Sequence, residues 1–294
     1  MEKSDFDNPD TTIPPTFRVH GIQLKAGSQR LFYKGIQSFR EKKPIPRRTT
    51  IQLAKTKYAV CEINGSTPVA GQIWKSVQDR MLSKAIRGFL WKSLHEGYKI
   101  GEYWDRITNL ERRGRCHLCG ETETMEHILL ECDESLASQT IWGLAECLWR
   151  KRETYWPEIR FGTILGCNLI NFTDNKNRKQ RGKSRLFTIL MSESAHLIWK
   201  LRCERAIKLE GDTSKFHTRE EIQNRWIFAM NSRLKMDMLL TDRARYGKKA
   251  IPQKTVLQTW SGVLLDEDNL PDNWIWQSGV LVGITSQRPP GRNR

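Results

Sequence analysis

No apolar run in this 294-residue chain approaches the ~20 residues that a membrane-spanning helix requires, and no membrane role is expected. The opening stretch, MEKSDFDNPDTTIPPTF, is acidic, polar and broken by proline. It therefore lacks the marks of a signal peptide or a transit peptide. Cysteine is scarce and odd in number, seven in all. Without a secretion signal, that predicts thiols in a reducing, intracellular compartment. In that setting the two glycosylation triplets, Asn64-Gly65-Ser66 and Asn171-Phe172-Thr173, are chance matches. Acidic residues are few beside basic ones, 33 against 49, for a formal net charge of +16. Such an imbalance favours a polyanionic partner, nucleic acid ahead of an anionic membrane surface. Apolar residues are not lacking. They make up 38% of the chain, with 11 tryptophans, enough for a real core and against disorder throughout. No internal repeat is found.

The order of elements reads as mainly α. Residues 1–49 form a proline-containing basic leader that ends in EKKPIPRRTT, with Lys42, Lys43, Arg47 and Arg48. Helices are predicted near 72–79 and 83–96, the second carrying Ile86, Phe89, Leu90 and Leu94 at helical spacing before Gly97. A further helix opens after Asp133, the expected N-cap, and repeats Ala137, Ile141, Leu144 and Leu148 on one face. The segment 157–184 reads as a basic linker. Lys176, Arg178, Lys179, Arg181, Lys183 and Arg185 fall within ten positions around a glycine, too charged to be core. From Leu186 to about Leu209 comes the longest expected helix, with an apolar stripe of Leu186, Ile189, Leu190, Leu197, Ile198 and Leu201. Another ends near Gly247, and the tail mixes strand-like runs with turns before a basic end, RPPGRNR. The expected architecture is a helical domain over 50–156 with an inserted CCHC zinc knuckle, followed by a second helical unit over 185–294.

Chemistry concentrates in CHLCGETETMEHILLEC, residues 116–132. A disulfide would strand the third sulfur, whereas a tetrahedral ion uses Cys116, Cys119, His127 and Cys132 together. Two residues between Cys116 and Cys119 let both thiolates turn to one point, and Gly120 supplies the permissive backbone. His127 and Cys132 are the difficult pair. Five positions on an ideal helix are about 140° of rotation, so the helix from Met125 to Leu130 must loosen before Cys132. His117, between the first two cysteines, should point away. Four protein ligands leave no open coordination position, which predicts one structural Zn2+ and no metal catalysis. Redox chemistry by the C-x2-C pair is disfavoured, since no thioredoxin-like βαβ pattern surrounds it.

These residues carry a resemblance. FLWKSLHEGYKIGEYW, the spacing to the cysteine cluster, Ile141-Trp142 and the later ESAHLIWKLRCE resemble the zinc-binding region that follows the reverse transcriptase and ribonuclease H domains of non-LTR retrotransposon polyproteins. The similarity runs from about residue 21 to 209. The Cys-Cys-Glu-His-Cys core, with Glu126 beside His127, is its most specific part, and the family's tryptophans map onto Trp91, Trp104, Trp142 and Trp199. Cys203 departs from the asparagine usual there. The resemblance implies a detached C-terminal portion of such an element, because the Tyr-x-Asp-Asp turn of a polymerase and the separated carboxylates of ribonuclease H are missing. The one acidic cluster, Asp266, Glu267, Asp268 and Asp272, has turn composition.

The expected function is therefore non-catalytic: a zinc module that binds DNA or RNA through Lys176, Arg178, Lys179, Arg181, Lys183 and Arg185, and through Arg112, Arg113 and Arg115 ahead of the knuckle. The alternative is a zinc-stabilised adaptor for a protein partner. A thiol hydrolase using Cys61, Cys147, Cys167 or Cys203 is disfavoured, since no histidine and carboxylate pair with any of them in sequence.

Overall fold

Helices and helical turns supply the regular structure of the computed structural model, which describes residues 27–39 and 45–284. The β pairings among these residues are isolated bridges. The protein is mainly α, as predicted. The first helix, α1 (Gln29–Phe39), lies in a unit that ends at Pro46, and the second unit begins at Arg47. Lys42, Lys43 and the RPPGRNR tail lie outside the described residues. Arg47 and Arg48, assigned above to the leader, already belong to α2 (Arg47–Asn64).

In the second unit α2 is followed by α3 (Ala70–Ser76) and α4 (Lys84–Leu94). The Ser83 hydroxyl caps α4 by accepting from the Ile86 amide at 3.2 Å, satisfying a donor that has no partner within the helix. The knuckle segment leads to α5 (Leu136–Arg150), whose N-cap is Ser135 and not Asp133. Cys132 lies in extended backbone, and the Ser135 amide folds back to its carbonyl at 3.0 Å, so the helix starts two residues later than composition suggested. After α6 (Phe161–Leu165) comes α7 (Arg181–Cys203), the longest helix described. It begins at Arg181 because its first turn docks on a helix near the end of the chain, α10 (Gln253–Trp260). A Cβ at Gly182 would lie 2.0 Å from the Gln258 carbonyl oxygen, so glycine alone allows that approach. Between them lie α8 (Arg219–Leu239), held by a capping box of Thr218 and Glu221, and the short α9 (Arg243–Tyr246).

The expected single stripe on α7 is too modest. Seven successive residues, Leu186 to Ser192, are all buried, which requires neighbours on every side. Those neighbours come from both predicted units: α4, α5 and α6 on one hand, α8 and α10 on the other. The core accordingly runs without interruption from Leu53 to Val282, and the expected division at 157–184 is replaced by one body. A ring cluster of Trp149, Trp156, Phe172 and Phe187, centroids 5.3 to 6.1 Å apart, packs where the linker was expected. The strand-like tail reduces to one bridge, Leu264 with Val282. The acidic cluster is a turn in which the Glu267 carboxylate accepts from the amides of Gly262 and Leu264. No described helix is long and apolar enough to cross a membrane.

Candidate metal centre and basic surfaces

The knuckle is built by backbone. The Cys116 amide donates to the Glu121 carbonyl at 2.8 Å and the Gly120 amide to the Cys116 carbonyl at 2.9 Å, closing the turn across a bridge between Arg115 and Thr122. Gly120 takes φ +79°, the left-handed backbone expected of it. The second ligand pair comes from a turn started by Thr124, whose hydroxyl accepts from the His127 amide at 2.9 Å. From His127 to Glu131 this turn widens into a π-helix, and the Cys132 amide donates to the His127 carbonyl at 3.0 Å, five residues back. That is the loosening the spacing demanded: an i→i+5 turn brings residues five apart onto nearly the same side.

The four ligand atoms all lie within 4.8 Å of one another. Cys116 Sγ is 3.9 Å from Cys132 Sγ, Cys132 Sγ is 3.9 Å from Cys119 Sγ, and Cys119 Sγ is 3.4 Å from His127 Nε2. Metal–sulfur and metal–nitrogen bonds of about 2.3 and 2.05 Å at tetrahedral angles require edges of about 3.8 and 3.6 Å. These three edges match to within a few tenths of an ångström, and the other three lie within 4.8 Å. Disulfide bonding is excluded at these separations, and all seven cysteines are free. The arrangement could hold one metal ion in a closed shell. Burial pushes the Cys116 thiol up, but the backbone amides of Cys119 and Leu118, with the side chains of His127 and Cys119, outweigh it and bring the pKa down to about 7. A thiolate is thereby favoured where a ligand is needed. Cys132 is pushed up to about 12, by burial first and by the neighbouring Cys116 next, a repulsion that a shared cation would relieve. Arg205 has a buried Nε with no hydrogen-bond partner. Burial lowers its pKa while Cys116 and Glu123 oppose that, so its charge offsets the negative charge of the thiolates.

The centre is tied to the body on three sides. Glu126 pairs with Lys55 of α2. Glu123, fully buried, receives both Nε and Nη2 of Arg202 from the end of α7. Trp142 of α5 donates its indole N–H to the Leu129 carbonyl at 2.8 Å. His117 is not among the ligands, as expected.

The basic residues divide. Lys176, Lys179 and Arg181 are exposed and form no ion pair among the described residues. Their segment is an ordered turn and not a loose arm. The Asp174 carboxylate accepts from the amides of Lys176 and Arg178 and pairs with the Arg178 guanidinium at 2.8 Å. Two expected phosphate contacts are corrected. Lys183 is half-buried against Glu153 at 2.6 Å, its ammonium over Phe172. Arg185 is buried and grips Asp237 with two 2.7 Å bonds. The core that encloses α7 has taken Arg185 out of solvent and committed Lys183 to an internal pair. Ahead of the knuckle, Arg112 and Arg113 are exposed, whereas Arg115 bonds Thr122 and faces Asp105 at 3.7 Å. Lys99, in the interleaved basic and aromatic run YKIGEYWDR, is exposed as well and was not among the expected contacts.

No family model, curated protein or solved structure matches the chain.

Proposed function

We propose that the chain is a non-catalytic, zinc-stabilised module that binds nucleic acid, the counterpart of the region found after the polymerase and ribonuclease H domains of non-LTR retrotransposons. The observation that carries the metal half is the near-tetrahedral set of Cys116, Cys119, His127 and Cys132. Three thiolates and an imidazole are a donor set that zinc prefers, and bound there it supplies structure and no open position for substrate. The chain's own residues do the rest. Lys55 and Arg202 anchor the knuckle's carboxylates, and the exposed Arg112, Lys176, Lys179 and Arg181 neutralise phosphates without breaking internal pairs. A net charge of +16 supports a polyanionic partner. A second reading, a zinc-stabilised protein adaptor, draws on the exposed Phe228 and Trp276, 74% and 61% accessible.

Metal analysis of the purified protein followed by binding of labelled DNA and RNA at two salt concentrations tests the reading. One zinc per chain, with affinity that falls steeply as salt rises, is the expected result. Zinc without affinity for either nucleic acid at low salt overturns the nucleic-acid half and leaves the adaptor.

A further inference from the structure

A groove of about 480 Å³ opens beside the metal centre, between the segment that precedes the knuckle and the turn that ends α7. Its aromatic wall is fixed in place. The Trp104 indole N–H donates to the Lys99 carbonyl at 2.9 Å, and Tyr103 meets the Trp104 ring edge-on, with centroids 5.3 Å apart. Two cations dress that wall. The Arg113 guanidinium lies 5.2 Å from the Trp104 centroid and the Lys99 ammonium 5.5 Å from that of Tyr103. Neither has a carboxylate partner among the described residues. Arg202, which also lines the groove, is already occupied by Glu123. Against them stands one lining carboxylate, that of the exposed Glu210 at the rim. The opposite side presents Ile207, 70% accessible, from the π turn over 204–208. The metal loop is part of the same wall. The His117 ring packs on the backbone of Gly211, where an added Cβ would lie 2.3 Å from Nδ1.

A flat indole backed by a guanidinium, two unpaired cations, an apolar lip and room for a small ligand make a stacking seat with charge for a phosphate. Bases inside a duplex are stacked on one another and present only their backbone to such a groove. An unpaired strand can turn a base into it. We propose that this groove seats an unpaired nucleotide of a single strand, its base against the Trp104–Arg113 face and its phosphate on Lys99. The assignment rests on the nucleic-acid reading above and narrows it to a preference for single strands.

The test uses zinc-loaded full-length protein and three labelled probes of equal length: oligothymidylate, oligouridylate and a mixed-sequence duplex. Trp104→Leu combined with Lys99→Gln should weaken single-strand binding about tenfold or more, on the scale of one lost base–aromatic stack. Duplex affinity should fall only severalfold, through lost charge. Glu210→Gln should tighten single-strand binding severalfold, a gain that misfolding does not produce. The tighter of the two single strands identifies the sugar that the seat accepts. Equal losses on single strand and duplex in the double variant, or wild-type single-strand affinity in both variants, overturn the groove while leaving nucleic-acid binding intact. Wild-type protein that binds none of the three probes overturns the parent reading as well.

Discussion

Replacing Arg185 by glutamine tests whether the basic run from Lys176 to Arg185 is a binding surface along its whole length. By composition it is one stretch of solvated charge. In the fold, Arg185 makes two 2.7 Å bonds to Asp237 and a third, at 3.1 Å, to the Thr259 hydroxyl. Asp237 is fully buried. Removing one partner of a buried pair costs about 3–5 kcal/mol, because the other charge is left without compensation. The lower end applies here. Arg233 Nε remains 3.3 Å from Asp237 Oδ1, and the Trp260 indole still donates to Oδ2 at 2.9 Å. A loss of about 3 kcal/mol is a large part of the 5–15 kcal/mol that holds a typical protein folded. Urea unfolding at saturating zinc should therefore show a lowered midpoint at unchanged slope. Arg185→Gln with Asp237→Asn should recover part of the loss, since the uncompensated carboxylate is then gone. Arg185→Gln that is as stable as wild type to within about 0.5 kcal/mol, with a salt slope flatter by about one, would refute this reasoning and return Arg185 to the phosphate-binding set.

Replacing Lys176, Lys179 and Arg181 together by glutamine should leave stability unchanged and flatten the duplex salt slope by about 2.7, at 0.9 per phosphate contact, as read by titrations at several salt concentrations. Cys132→Ser should abolish metal binding, whereas Cys147→Ser and Cys203→Ser should leave the zinc content of the purified protein at one per chain; full occupancy in the first variant would refute the ligand set. Burial and then Lys200 depress His196 to about 4, so the unfolded chain takes up a proton near pH 6.5 that the folded chain refuses. Stability complete above that value should fall by roughly 3 kcal/mol between about pH 6.5 and 4, and His196→Gln should flatten that limb in acid unfolding followed at saturating zinc. Chelation should lower the melting temperature of the whole body from Arg47 onward in one transition; two separate transitions by calorimetry would restore the two-part division.

The candidate metal site was legible because its information is local. Its four candidate ligands lie within seventeen residues, and the one geometric conflict among them, His127 against Cys132, pointed to the distortion that the fold contains. The charge run was misread for the opposite reason. Arg185 and Asp237 are 52 positions apart, and composition within a window says nothing of a partner so distant. The all-round burial of α7 was hidden by its polar residues. Thr188 breaks the apolar pattern, yet its one hydroxyl proton is shared between the carbonyls of Ser184 and Cys167, each 3.0 Å away, so burial costs it no hydrogen bond. Periodicity ranks side chains by type and misses a hydroxyl satisfied by its own helix.

That same locality made the knuckle look like an insert, and the carbonyl of Leu129 is the reason it is not one. A helical turn that widens to i→i+5 and then stops at Cys132 leaves carbonyls without a backbone donor. Leu129 is fully buried, so water does not serve it. The Ser138 hydroxyl and the Trp142 indole N–H, both from α5, donate to this one oxygen at 2.8 Å each. The distortion that aims Cys132 at the other three cluster residues thus creates the acceptor that docks α5, and α5 packs on α7 and α8 at the centre of the body. In the zinc-bound protein proposed above, removing the ion leaves the widened turn exposed to repulsion among the thiolates, and a relaxed turn withdraws the Leu129 oxygen from both donors. The buried Ser138 hydroxyl would then lose its partner at about 1–3 kcal/mol, and the half-buried Trp142 indole would lose its own at a smaller cost. The strain is thereby delivered to the helices and is not confined to the loop, which is the physical ground for a single transition on chelation.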